Sequence, residues 1–389
     1  MNYPLASTTW DNKELNAIKE VVDSGQFTMG KNVKIFEKEF ASFFGNKYAV
    51  MVNSGSSANL LATAALFFTQ NNALKRGDEV IVPAVSWSTS YFPLQQYGLK
   101  CKFVDIDAKT LNYNLESLQE AITDKTRVIL VVNLLGNPND FSTIEKIIDN
   151  RNIIIIEDNC ESMGAEFKGK MAGTFGLVGT FSTFFSHHIS TMEGGVVITD
   201  SEEIYHILLS LRSHGWTRHL PEKNLVTGIK SDNPFEESFK FVLPGYNLRP
   251  GELNGAIGIQ QLKKLPELLK VRRKNAEIFV KSFKNHPYIQ IQEETGKSSW
   301  FGFSLIVKPD SPFSREELLN LLTENNIETR PVVSGNFLKN PVLKYFDYTV
   351  YGKIVNAEIV EDNGLFVGNH HYDLSKEIDY LYKIIAKLY

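Results

Sequence analysis

The sequence predicts an α/β protein: a large, mostly parallel sheet with helices on both faces, followed by a smaller α+β domain at the C-terminal end. Short apolar runs alternate with amphipathic stretches at the spacing of βαβ units. Several runs are apolar without interruption, as in Ile153 to Ile156, which is how strands covered on both faces read. The length of 389 residues exceeds what one hydrophobic core serves. A change of pattern near Pro266 divides the chain into a large domain, 1–265, and a small one, 266–389.

Composition narrows the function. A hydrophobic fraction of 43% and a charged fraction of 22% are ordinary for a globular protein, and a net charge of -4 without a long basic run argues against a nucleic-acid partner. The segment MNYPLASTTW lacks a basic stretch followed by an apolar one, and no stretch approaches eighteen apolar residues, so the expectation is a cytoplasmic protein with no membrane contact. Two cysteines, Cys101 and Cys160, supply neither a disulfide framework nor a four-thiolate cluster within one chain. No metal is expected.

In order, the spacing predicts helices over 11–24 and 31–44, the second with Phe36, Phe40 and Phe43 or Phe44 on one face, then a strand over 48–52. Asn53-Ser54-Gly55-Ser56-Ser57-Ala58-Asn59 follows, and small hydroxyl-bearing residues between a strand and a helix turn backbone N–H groups toward an anion. That is a phosphate cradle built from Gly55, Ser56 and Ser57. A strand over 78–86 delivers Trp87 at its carboxyl end, where ligands of open α/β sheets collect. Strands over 101–106, 127–135 and 152–156 alternate with helices over 115–122 and 143–149, and the last strand leads into Asp158 and Glu161.

The chain is organised around 179–200, GTFSTFFSHHISTMEGGVVITD. Two strand-like runs, 179–185 and 195–199, flank a polar turn with Ser186, His187 and His188, closed by Gly194-Gly195. Adjacent residues diverge in extended chain, so His188 should point away from His187. A helix over 202–212 precedes the polar and aromatic SHGWTRH, and 220–238 reads as a long irregular loop. Pro250 suits a first helical position for a helix over 252–265. A second helix over 268–283, a strand over 299–307, a helix over 314–325, a turn at 328–332 and a terminal helix complete the chain.

These motifs resemble those of the DegT/DnrJ/EryC1/StrS sugar aminotransferases, which have the type I fold of enzymes dependent on pyridoxal phosphate. In that family a cofactor-bearing lysine stands eight residues before the second glycine of the closing Glu-Gly-Gly; here that position is His187. The resemblance implies phosphate contacts from Gly55, Ser56, Ser57 and Ser182, ring stacking by Trp87, a carboxylate partner for the ring nitrogen in Asp158, and Glu161 near the cofactor. It implies that Asn247, in Gly245-Tyr246-Asn247-Leu248-Arg249, reaches the phosphate of a neighbouring subunit's cofactor, hence a homodimer with shared sites. His214, Arg218, Arg249 and Arg330 match positions near the substrate. Lys168 and Lys170 match solvated loop charges.

An imidazole has no primary amine to hold the cofactor covalently, yet it carries protons well. The His-for-Lys exchange resembles the small branch that removes the C3 hydroxyl of nucleotide-linked 4-keto-6-deoxy sugars in dideoxysugar (colitose) synthesis. The resemblance implies pyridoxal phosphate and pyridoxamine phosphate as cofactor forms, L-glutamate as amino donor, a GDP-linked 4-keto-6-deoxy sugar as substrate and His187 as catalytic base. A CDP-linked substrate, a 4-aminotransferase or a non-catalytic cofactor-binding relative remain alternatives; the CDP branch needs cysteine ligands that two cysteines do not supply.

Overall fold

The computed structural model describes residues 1–389. Asp11 caps α1 (Asn12–Ser24), accepting the Lys13 N–H while Glu14 reaches back to the Asp11 N–H. In α2 (Lys31–Phe44) the 3.6-residue period buries Phe36, Phe40 and Phe44 on one face. Strand and helix then alternate through β1 (Tyr48–Val52), α3 (Gly55–Ala65), β2 (Glu79–Pro83), α4 (Ser88–Gln96), β3 (Lys100–Val104), α5 (Leu115–Ala121), β4 (Thr126–Val132), α6 (Phe141–Ile148) and β5 (Ile154–Asp158). A small hairpin, β6 (Glu166–Phe167) and β7 (Lys170–Met171), precedes β8 (Val178–Ser182) and β9 (Gly195–Thr199), which bracket the histidine turn. Then come α7 (Glu202–Arg212), β10 (Lys223–Asn224), β11 (Gly228–Ile229), α8 (Pro234–Glu237) and α9 (Glu252–Phe283). The remainder holds β12 (Ile289–Gln290), β13 (Gly302–Val307), α10 (Arg315–Glu324), β14 (Thr329–Arg330), β15 (Tyr348–Val350), α11 (Asn356–Asn363), β16 (Gly364–Gly368) and α12 (Ser375–Ile385).

Eight strands form one sheet in the order β1-β9-β8-β5-β4-β2-β3-β15. Only β9 runs against its neighbours; the pairs from β8 to β15 are parallel. Alternate residues feed opposite layers: Val128, Leu130 and Val132 enter the core with α3 and α7, whereas Ile129 and Val131 enter the one with α5 and α6. Because β2, β4, β5 and β8 are parallel, their carboxyl ends share one rim, and Asp158 and Ser182 lie on it. A second sheet, β12-β13-β16-β14, is antiparallel and packs with α10 and α12 around its own core.

Several expectations need correction. The two helices expected around Pro266 are one 32-residue helix, so a division after residue 265 falls inside a continuous rod. Pro266 removes one backbone donor, but Leu262, Leu265, Leu268, Leu269 and Arg272 bury a stripe on both sides of it, and that packing carries the helix through. Pro250 stands before the helix, whose cap is Gly251. The irregular loop over 220–238 contains the β10–β11 hairpin and α8, and part of the expected turn at 328–332 is β14, paired with β16. The strand into the histidine turn ends at Ser182, and Phe184 and Phe185, expected inside it, lie beyond it and are exposed.

Candidate active site

The cradle forms where β1 turns into α3. Ser54 caps the helix by accepting the Ser57 N–H at 3.0 Å, the Ser57 hydroxyl donates to Asn53 Oδ1 at 2.6 Å, and the exposed Ser56 hydroxyl donates to Thr89 Oγ1 at 3.0 Å. Two glycines let three backbones meet here. A Cβ on Gly55 would stand 2.6 Å from Ser182 Cβ, and one on Gly195 would stand 2.2 Å from the Ser54 carbonyl oxygen. The helix N-terminus, the end of β8 and the start of β9 are thereby one surface of N–H and hydroxyl donors.

Asp158, the last residue of β5, is buried and held from three directions. Its Oδ2 accepts from Asn59 Nδ2 at 2.8 Å and Ser90 Oγ at 2.7 Å, and its Oδ1 accepts the Cys160 N–H at 3.1 Å. Asn59 is oriented by the Thr180 hydroxyl, which donates to its Oδ1 at 2.6 Å. Asn59, Ser90 and Thr180 were not singled out from sequence; their only signal is a polar residue in the first two turns of a helix or inside a strand that is otherwise buried. Trp87 stands immediately before α4 and is 58% exposed, so its indole is available as a stacking face. Glu161 accepts the Leu135 N–H at 2.9 Å, and exclusion of water pushes its carboxyl up to about 7, opposed by that hydrogen bond.

The two histidines diverge as adjacent residues should. His188 is fully buried, with Nε2 3.1 Å from the Ser299 carbonyl oxygen, whereas His187 is half-buried, packs its ring 5.2 Å from that of Phe301 and has no partner for Nδ1. Burial, and secondarily the Arg272 guanidinium, hold the His187 imidazole down to about 4. Helix α9 braces this turn: Asn254 donates to the Thr191 and Glu193 carbonyls, Gln261 accepts the Ser190 N–H, and Arg272 stands behind the histidines. Spacings of 7 and 11 residues place these three on one helix face. Phe301 and Arg272 also escaped the sequence reading, since both come from far along the chain. Lys168 binds the Ser142 hydroxyl and Lys170 lies over the Phe175 ring, so both are occupied in their loop.

A second group lies beside the cradle, tied to it by the Asn53 N–H donating to the Leu248 carbonyl at 3.0 Å. Arg249 donates to Asn247 Oδ1 at 3.0 Å, and its Nη2 lies 3.3 Å from His214 Nε2. The Arg218 guanidinium stacks 4.4 Å from the Trp216 ring. Asn247 is exposed in the single chain and makes no hydrogen bond to Ser56, Ser57 or Ser182. Arg330 belongs to neither group; it lines a cavity beside the histidine turn with Ser186, Arg272 and Phe301.

Donors at a helix N-terminus, a fixed buried carboxylate, an exposed indole and an unpartnered buried imidazole nitrogen fit a phosphorylated pyridine with an ionisable ring nitrogen. No group of three His, Cys, Asp or Glu side chains has metal-holding geometry, and no helix is long and apolar enough to cross a membrane. The model of the DegT/DnrJ/EryC1/StrS aminotransferase family matches residues 8–385. The chain belongs to this family. It is 66% identical, over 100% of its own length and 99% of the relative's, to the GDP-4-keto-6-deoxy-D-mannose 3-dehydratase of Yersinia pseudotuberculosis. A crystal structure of a histidine-to-asparagine variant of GDP-4-keto-6-deoxymannose-3-dehydratase with bound GDP-perosamine superposes with TM-score 0.98 at 66% identity, covering 99% of this chain and 100% of that one. Another, of that dehydratase with a trapped geminal diamine of pyridoxal phosphate and glutamate, has TM-score 0.98 and 66% identity over 98% of this chain and 100% of that one. In this family member the turn residue eight before Gly195 is an imidazole.

Proposed function

We propose that this chain removes the C3 hydroxyl of GDP-4-keto-6-deoxy-D-mannose with L-glutamate as amino donor, releasing GDP-4-keto-3,6-dideoxy-D-mannose, 2-oxoglutarate and ammonia. The observation that carries the reading is His187: a half-buried imidazole on the β8–β9 turn, its Nδ1 without a partner, where a covalent tether needs an amine. The family membership and the 66% identity to a dehydratase support it.

The chain's residues take these parts. Gly55, Ser56, Ser57 and Ser182 bind the cofactor phosphate, Trp87 covers one face of the ring, and Asp158, fixed by Asn59 and Ser90, keeps the ring nitrogen protonated. Glu161 would lie near the cofactor and substrate. Bound in its pyridoxamine form, the cofactor supplies an amine for the C4 ketone and an electron sink for departure of the C3 oxygen. His187 takes a proton at a ring nitrogen from the cofactor's exocyclic carbon and returns it to the leaving hydroxyl. His214, Arg218 and Arg249 hold the nucleotide diphosphate of the substrate. Asn247 completes the phosphate site of a second copy, so the working unit is a homodimer. The reaction belongs in the cytoplasm, where nucleotide sugars and glutamate are available.

Incubation with GDP-4-keto-6-deoxy-D-mannose, pyridoxal phosphate and L-glutamate tests this, with ammonia and 2-oxoglutarate expected in equal amounts and mass spectrometry showing loss of one oxygen. A 4-amino sugar as product, or turnover only with the CDP-linked sugar, refutes it.

A further inference from the structure

Arg272 sits in the middle of α9, 5% exposed, and no carboxylate pairs with it. Its Nη1 is spent on three backbone carbonyls, Asn369 at 2.8 Å, Phe301 at 3.3 Å and Trp300 at 3.4 Å. Its Nε has no partner at all. A guanidinium held this way has its Nε–Nη2 edge left over, which is the fork that takes a carboxylate with two parallel hydrogen bonds. An uncompensated buried cation is costly, so an arrangement that keeps one points to an anion.

The cavity this side chain lines agrees. It is bordered by Ser7, Ser186, Arg272, Arg330, Asn369 and His370 together with apolar side chains, and no acidic residue is among its walls. Ser7 and His370 satisfy each other at 2.8 Å, and His370 Nε2 is 2.7 Å from the Pro4 carbonyl oxygen, so neither solicits a ligand. Glu328, whose charge acts on His370, accepts the Leu5 N–H at 2.8 Å. The donors left are the Arg272 edge, Arg330 and the Ser186 hydroxyl, and Ser186 directly precedes His187.

We propose that Arg272, Arg330 and Ser186 form the site for a carboxylate of the amino donor, next to the imidazole that moves its proton. This rests on the reading of the chain as a glutamate-consuming enzyme and adds the place where that donor is recognised. The guanidinium of Arg272 fixes the carboxylate from the core side, and Arg330 closes on it from solvent.

The test uses the enzyme loaded with pyridoxal phosphate and glutarate, a dicarboxylate without an amine, titrated by calorimetry, with GDP titrated separately. Loss of one charge-assisted contact should raise the glutarate Kd about tenfold or more in Arg330→Gln and in Arg272→Lys, with GDP affinity within twofold of wild type. Arg330→Gln changes an exposed side chain and keeps the test open if Arg272→Lys does not fold. Unchanged glutarate affinity in Arg330→Gln, or glutarate that competes with GDP, overturns the site. If wild-type enzyme binds glutarate this way but yields no deoxygenated sugar, the functional reading fails and the carboxylate site stands.

Discussion

At the residue scale the decisive group is His187. Its folded pKa, about 4, lies below the ordinary imidazole value, and burial contributes more than the Arg272 charge. At neutral pH it is therefore the neutral imidazole, with one ring nitrogen free to accept a proton, that the reaction needs. His187→Asn should lower dehydration by about 10²-fold or more, and His187→Lys should abolish it while permitting a reducible covalent link to the cofactor, seen by borohydride trapping. A histidine-selective NMR titration should place the His187 midpoint near 4. Arg272→Met should raise that midpoint only partway toward 6.5, because burial remains the larger cause. The same depression sets a stability slope. Between pH 6.5 and 4 the unfolded chain binds the proton that the folded chain refuses, so stability falls with falling pH across that window, and a urea midpoint measured at pH 7 and pH 5 should show the drop in wild type more than in His187→Asn. The histidine itself was legible through the family resemblance, which places the cofactor-bearing residue eight positions before the second glycine. Arg272 and Phe301, which set its environment, were not, since nothing local in the chain marks which distant side chains will surround a turn.

At the element scale the site depends on how closely β8, β9 and the start of α3 approach. Gly55→Ala places a methyl 2.6 Å from Ser182 Cβ, and both partners are backbone-anchored, so α3 must shift away from β8. The expected cost is about 1–3 kcal/mol in chemical denaturation, with weaker cofactor binding by fluorescence titration as the cradle's N–H groups move. A Gly55→Ala protein with wild-type affinity would show that the phosphate does not sit at this junction. Elements with a strong period and clear caps were readable: α2, β1, β9 and α7 begin and end at the expected residues. The long α9 was not, because Pro266 reads as a stop and the stripe that overrides it only acquires meaning once packed. That continuity matters for chemistry, since it keeps Asn254 and Gln261 in register with Arg272 along the histidine turn. The two-residue strands β10, β11 and β14 carry too few side chains to leave a pattern.

At the scale of the whole molecule the proposed homodimer turns on Asn247. In one chain it is exposed and bonded only to Arg249, and the neighbouring loop leaves Ile229, Phe235, Phe239 and Phe241 well exposed, Phe235 at 87%. Large apolar side chains gathered on one loop near the exposed Asn247 suit a surface that a second copy covers. Sedimentation should give a dimer mass. Mixing two inactive variants then asks whether the sites are shared. In a heterodimer of Asn247→Ala and His187→Asn, one site combines the first chain's His187 with the second chain's Asn247, and it is intact; the other site carries both lesions. Subunit exchange after mild denaturation should therefore restore about a quarter of wild-type dehydration, since half the dimers are mixed and half their sites are whole. If Asn247 serves the cradle of its own chain instead, every site in the mixture keeps a lesion and activity stays at the average of the two variants.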